Sequence, residues 1–85
     1  MDPATAELAA KMIGQYVTFY CVNFIYYGLV VAVSDRVITL DKAHCVYNTG
    51  SHSDPYFGDS RPFPGQWHIP WSAIESFGNM HKKPR

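Results

Sequence analysis

The sequence predicts a mainly β domain with a short N-terminal helix, its strands curled into a small, strongly bent antiparallel barrel. Three observations lead there. A helix-forming segment with clear start and stop residues occupies the first 14 positions. About five runs dense in β-branched and aromatic residues follow it, separated by turn formers. The second of these runs is interrupted by Gly28, the kind of position at which a strand of a small barrel bends.

The elements follow in order. Asp2 stands as N-cap, Pro3 takes the first helical position, helix formers continue through Lys11, and Gly14 suits the left-handed residue after the end. The helix is therefore expected over 2–14, with Leu8, Met12 and Ile13 as its apolar stripe. Residues 15–78 are expected to form the barrel. QYVTFYCVNF and IYYGLVVAVS read as the first two strands, Asp35 and Arg36 as a tight turn into VITLDKA, and HCVYN as a further strand. A long loop is expected over 48–66, then a short strand WHIPW in which Pro70 marks an edge or a bulge. Ser72 opens SAIE, a capping-box pattern for one closing helical turn before Gly78, and a basic tail fills 79–85. A helix followed by bent strands is the order of SH3-like and Sm-like barrels.

Composition narrows the classes. Eighty-five residues make a single domain, 1–85, and a chain of this size buries only roughly 60–65% of its unfolded surface. Seven Lys and Arg against seven Asp and Glu cancel, so no global field draws in long nucleic acid, and no such partner is expected. The longest nearly uncharged stretch, FIYYGLVVAV, is about half of what a membrane helix needs, so no membrane partner is expected. Asp2 and Glu7 stand where a secretory signal would be basic, and Cys21 and Cys45 sit inside apolar runs, which together suggest a reduced, cytoplasmic protein.

The first two strands are apolar on both faces. Val17, Phe19 and Cys21 oppose Tyr16, Tyr20 and Val22, and Leu29, Val31 and Val33 oppose Val30 and Ala32. One short helix covers too little of this surface. A homo-oligomer, dimer or tetramer, is the expected cover, with Tyr16, Tyr20, Val22 and Tyr26 at its interface.

Catalysis finds little support. Cys21, His44, Cys45, His52 and His68 lack the spacing of a zinc site, and neither cysteine follows a nucleophile elbow or a helix N-terminus. Asp54 and Asp59 are explained by turn formation next to Pro and Gly. No phosphate-cradling glycine motif is present, and no metal or cofactor is expected. Binding fares better. Between 47 and 68, donors alternate with flat side chains: Tyr47, Tyr56, Phe57 and Trp67 could stack on bases, while Thr49, Gly50, Ser51, His52 and Arg61 could hold phosphates. The plainer alternative is that Phe57, Phe63 and Trp67 pin the loop to the barrel while its Ser, Asp and His solvate it. Pro55, Pro62 and Pro64 stiffen the segment, as a preorganised binding loop requires.

The order YVTFYCVNFIYYGLVVAVSDRVITLDKAHCVYNTG, then a polar loop with Pro-Phe-Pro-Gly and a final short strand, resembles a family of small proteins encoded in phages and mobile elements. It is similar to the anti-CBASS sponge proteins of phages. That resemblance implies a small oligomer in the host cytoplasm that sequesters a cyclic dinucleotide immune signal without cleaving it. Thr49 and Gly50 match the family's Thr-Gly pair, whereas Ser51 and His52 depart from the Arg and aromatic that follow it there, and Arg61 is the candidate replacement. Two alternatives from other classes stand beside it: an Sm-like RNA-binding ring, and a virion or protein-interaction module without a small ligand.

Overall fold

The computed structural model describes residues 3–79 and 82–84. Helix α1 (Pro3–Met12) is followed by β1 (Tyr16–Cys21), β2 (Ile25–Val33), β3 (Val37–Asn48), β4 (Asp59–Pro62), β5 (Trp67–Pro70), a 3-10 turn at Trp71–Ala73 and β6 (Ile74–Gly78). The strands form one antiparallel sheet in the order β4-β3-β2-β1-β6, and β5 also pairs with β3.

Helix α1 is shorter than the sequence suggests, and the N-cap assigned to Asp2 lies outside the described residues. Gly14 ends it in the left-handed region (φ 88°), and its N–H donates to the Val30 carbonyl at 2.8 Å, which fixes the helix exit to β2. Of the expected stripe only Met12 is buried, together with the small Ala9, while Leu8 and Ile13 stay about half exposed. A helix lying on a sheet through an alanine turns its larger neighbours outward.

The sharp bend has a local cause. VITLDKA and HCVYN are one strand rather than two, and they join through Lys42, whose φ of 50° makes it the extra residue of a bulge. Gly28 lies against this bulge. A Cβ there would stand 3.1 Å from Leu40 Cβ and 3.2 Å from Ala43 Cα, so a side chain would require β3 to give way by a few tenths of an ångström.

Two elements differ from the sequence expectation. The 48–66 segment contains β4, which pairs with the second half of β3 although DSRP has poor strand propensity. The SAIE pattern does not close a helix. Ile74–Gly78 instead extends along β1, where Ser76 and Gly78 lie opposite Tyr20 and Thr18, and Ile74 and Phe77 pack against the core. An available sheet edge and two apolar contacts outweigh a capping motif of about 1 kcal/mol.

Hydrogen-bond alternation explains the strand prolines. The Trp71 N–H donates to the Arg36 carbonyl at 3.0 Å, and the Phe63 N–H to the Ala43 carbonyl at 2.9 Å. Counting by twos from these bonds turns the amides of Trp67, Ile69 and Arg61 toward β3. Ser60, Pro62, His68 and Pro70 face the unpaired edge, where a proline forfeits no ladder bond.

The inner face of the β2–β3 ribbon is buried, and its outer face is covered around Tyr27 and Val46 while Val31 and Ala32 stay exposed. Inside the barrel, Val17, Phe19, Val30, Ile38, Leu40 and Ile69 pack with the helix residues Ala9 and Met12. On the outer face, Tyr27 and Val46 pack with Phe57, which arrives from the loop before β4 and is 1% exposed. The outer face is thus closed here by the chain's own loop, where the sequence pattern pointed to a second copy. Truncating this plug, Phe57→Ala, should lower unfolding stability by about 3–5 kcal/mol, the usual range for a buried phenylalanine. Urea denaturation checks it, and a loss under 1 kcal/mol would mean that the plug is dispensable.

Candidate binding site at the mouth of the barrel

The residues singled out in the 47–68 segment fall into three places. Thr49, Gly50, Ser51, His52 and Tyr56 lie in a loop strapped down by the C-terminal segment. The Lys82 ammonium, on a residue 8% exposed, donates to the Thr49 carbonyl at 2.7 Å and to the Ser51 carbonyl. The Phe57 N–H donates to the Lys83 carbonyl at 3.0 Å, the Lys83 N–H donates to the Pro55 carbonyl at 3.2 Å, and the Lys83 ammonium lies over the Tyr56 ring. Turn bonds complete the loop: the Gly50 N–H donates to Asn48 Oδ1 and the Tyr56 N–H to Asp54 Oδ1. The carbonyls of Thr49 and Ser51 are therefore occupied by the protein's own cation. Met80, His81 and Arg85 of the basic tail lie outside the described residues.

Phe57 occupies the second place, and its assignment as a ligand-stacking residue is corrected. Its ring meets Tyr27 edge-on at 5.4 Å, beneath the loop, with no face open to a base.

The third place is an aromatic mouth at the open end of the barrel. Tyr26, Cys45 and Arg61 are directly opposed across β2, β3 and β4, so they share the inner face. Phe63 follows Arg61 and stacks flat on Trp67, with ring centroids 3.9 Å apart and planes inclined by 2°. Tyr26 lies 6.0 Å from Phe63 and 6.2 Å from Phe24. Burial raises the Tyr26 phenol above its usual value, Cys45 and Cys21 add to this, and a hydrogen bond from the Trp67 indole opposes it. Tyr47, 60% exposed, stands beside Cys45, whose hydrogen bond raises the Tyr47 phenol most, with Arg61 acting in the opposite direction. The Arg61 guanidinium is 3.9 Å from the Asp59 carboxylate, and both side chains are more than half exposed. Tyr47, Arg61 and Trp67 are thus grouped as the sequence suggests, and Phe24, Tyr26 and Phe63 join them. Cross-strand register, which the sequence does not display, brings Tyr26 to this side, and Phe24 packs beside it from the β1–β2 turn.

The four residues expected at an oligomer interface do not form one surface. Tyr16 and Tyr20 lie on the outer face of β1, Tyr16 stacked on Tyr27 at 5.5 Å. Val22 sits in the β1–β2 turn, and Tyr26 belongs to the inner face opposite Phe19. Alternation holds for Tyr16 and Tyr20, whereas Val22 lies beyond the end of β1 and Tyr26 on the opposite side of the sheet. The Cys21 thiol is pushed up by burial and then by Glu75, which disfavours the nucleophilic thiolate. Among the described residues no three His, Cys, Asp or Glu side chains gather as metal ligands, and no helix is long and apolar enough to cross a membrane.

No family model and no curated protein matches the sequence. Solved structures do match. A chain of the P. aerophilum SmAP1 heptamer superposes with a TM-score of 0.71 at 10% identity, covering 94% of this chain and 97% of that one. The fold is Sm-like. A chain of the NatC complex bound to CoA follows with a TM-score of 0.59 at 20% identity, over 80% of this chain and 78% of that one. At such identities the likeness is one of fold.

Two outcomes follow from the polar groups around this barrel. Lys82→Met should cost about 1.5–3 kcal/mol, the range for a hydrogen bond to a charged group, and should make the 49–58 loop more sensitive to protease in limited digestion. The second concerns His44, whose Nδ1 is buried without a partner and whose imidazole is held below its ordinary value of 6.5 by burial. A depressed histidine favours the neutral form in the folded state. Its contribution is therefore complete above pH 6.5 and is lost as pH falls through the lowered folded value. Urea midpoints should fall on acidification more steeply in the native protein than in His44→Asn, and parallel curves would refute this role.

Proposed function

We propose that this chain is a non-catalytic binding subunit of a homo-oligomeric Sm-like ring whose ligand is single-stranded RNA, taken through the aromatic mouth. The observation that carries this reading is the near-full-length likeness to a subunit of a heptamer. Two features support it. Among the described residues the sheet path ends in two unpaired edges, β4–β5 and β6, to which a second copy can add strands. The mouth offers Trp67, Tyr47 and Phe24 as exposed rings, and stacking is worth about 1–3 kcal/mol per base regardless of sequence.

A second reading, sequestration of a cyclic dinucleotide, is favoured by the zero net charge. A chain without a basic surplus suits a ligand with two phosphates better than a long polyanion. The grouping of Tyr47 and Arg61 beside the mouth supplies one stacking ring and one cation for such a ligand.

Native mass spectrometry should give an oligomer of 9.6 kDa subunits. His68→Pro, which removes an amide facing the β5 edge, should leave a folded species of lower mass. Fluorescence anisotropy separates the ligands. RNA binding should tighten from two to ten nucleotides and weaken with salt, with a logarithmic slope of about −0.7 per phosphate contacted. Tight binding confined to cyclic dinucleotides, which are recovered intact, would replace RNA by the second reading. A monomer that binds neither would overturn both.

A further inference from the structure

The β1–β2 turn carries two grooves, one on each side. The first, about 110 Å³, is walled by Trp67 and floored by Tyr26, and the second, about 290 Å³, is walled by Tyr47 and Val46. Both are bounded on their shared side by Asn23 and Phe24. Phe24 is 51% exposed, although it stands at the end of a strand pair where a polar turn residue would cost nothing. It forms a ridge with an exposed ring across each groove, Trp67 at 37% exposure on one side and Tyr47 at 60% on the other. Trp67 is stacked on Phe63 at 3.9 Å, which holds its plane, and it lines the first groove.

We infer that these grooves are a two-base site, in which Phe24 is the common wall between two linked nucleobases, one stacked toward Trp67 and the other toward Tyr47. The inference rests on the nucleotide-binding reading above and specifies it. Aromatic faces separated by open grooves suit flat, π-faced ligands, whereas an aliphatic ligand would gain nothing from the flat Phe63–Trp67 stack. The Asn23 side chain borders both grooves and carries a donor pair and an acceptor, which matches the mixed donor and acceptor edge of a base. Arg61 lies on the Tyr47 side, within electrostatic reach of that phenol, where it can meet a phosphate between or beyond the bases. The chemistry is that of two bases joined by phosphate, and it is shared by a dinucleotide step of single-stranded RNA and by a cyclic dinucleotide.

Titrations of the full chain with AMP, the linear dinucleotide ApA, cyclic di-AMP and a ten-nucleotide oligo(A) test it, read by tryptophan fluorescence and calorimetry. ApA or cyclic di-AMP should bind at least tenfold more tightly than AMP. Phe24→Ala should weaken the two-base ligands by roughly 10- to 100-fold, the loss expected when one ring serves two stacks, and should affect AMP less. Trp67→Ala and Tyr47→Ala should each remove part of that gain. Circular dichroism of Phe24→Ala confirms the fold, and Phe24→Tyr, which keeps the ring, should restore affinity. Preference for cyclic di-AMP over oligo(A) identifies the cyclic source, and the reverse identifies RNA. Equal binding of AMP and ApA, or two-base binding indifferent to Phe24→Ala, overturns the two-base site while leaving nucleotide binding intact. No binding of any of the four overturns the underlying reading.

Discussion

The structure depends on covering a two-stranded ribbon that is apolar on both faces. Strands β2 and β3 carry Val30, Ile38 and Leu40 on one side and Tyr27 and Val46 on the other. Rolling the sheet into a barrel buries the first set, but it cannot bury the second, because a sheet of this size has only one inside. The chain answers with the 49–58 segment, which carries Phe57 across the outer face, and with Lys82 and Lys83, which hold that segment in place. The loop is long because it must leave the end of β3, cross the outer face and return to start β4. Its polar residues make the turns, and one ring makes the contact. A domain of 85 residues has a small margin of stability, so the covering of Tyr27 and Val46 is a large share of the total.

The same curvature that closes the core opens the mouth. Lys42 and Gly28 bend β2 and β3 past each other, so that β3 serves two partners, β5 along its first half and β4 along its second. Between those partners the chain breaks ladder geometry at residues 63–66. Phe63 and Trp67, at the two ends of the break, are brought face to face. Of the rings around Tyr26, Phe24 and Trp67 are exposed and Phe63 is half-buried. An aromatic mouth is thus a consequence of bending the sheet at one point and dividing its last long pairing into two short ones.

How much of this was legible follows from the range of the interactions. The helix, the first two strands, the glycine bend and the edge proline Pro70 are written in local terms: caps, propensity, close approach and a missing N–H, whereas the unity of β3 across Lys42 is not. Strands β4 and β6 are not, because DSRP and IESFG are strands only by virtue of the edges they meet, and SAIE carries a local signal for the wrong structure. The site divides the same way. Phe57 and Trp67 are both aromatic residues in a turn-rich segment, and nothing local distinguishes the plug from the exposed ring. What does so is the side of β3 on which each lands. Composition shows only that the tail is basic, yet Lys82 is buried, because its partners are carbonyls more than thirty positions earlier.

Charge and shape together bear on what such a barrel can hold. A protein with no net charge cannot draw a polyanion by long-range attraction, and one of its cations, Lys82, is committed to its own backbone. Arg61 is balanced by Asp59 beside it. Affinity at the mouth has to come from contact, from ring faces that shed water when a flat ligand covers them. Contact energy of that kind is modest per site, about 1–3 kcal/mol per base. Assembly would change this, since copies joined into one particle present several mouths to one strand, and linked sites multiply apparent affinity without any new contact. On the proposed reading the unpaired edges and the aromatic mouth therefore belong to one device. For a long ligand, neutrality makes oligomerisation a condition of tight binding, whereas a ligand of only two bases must find its whole affinity in the walls around Phe24.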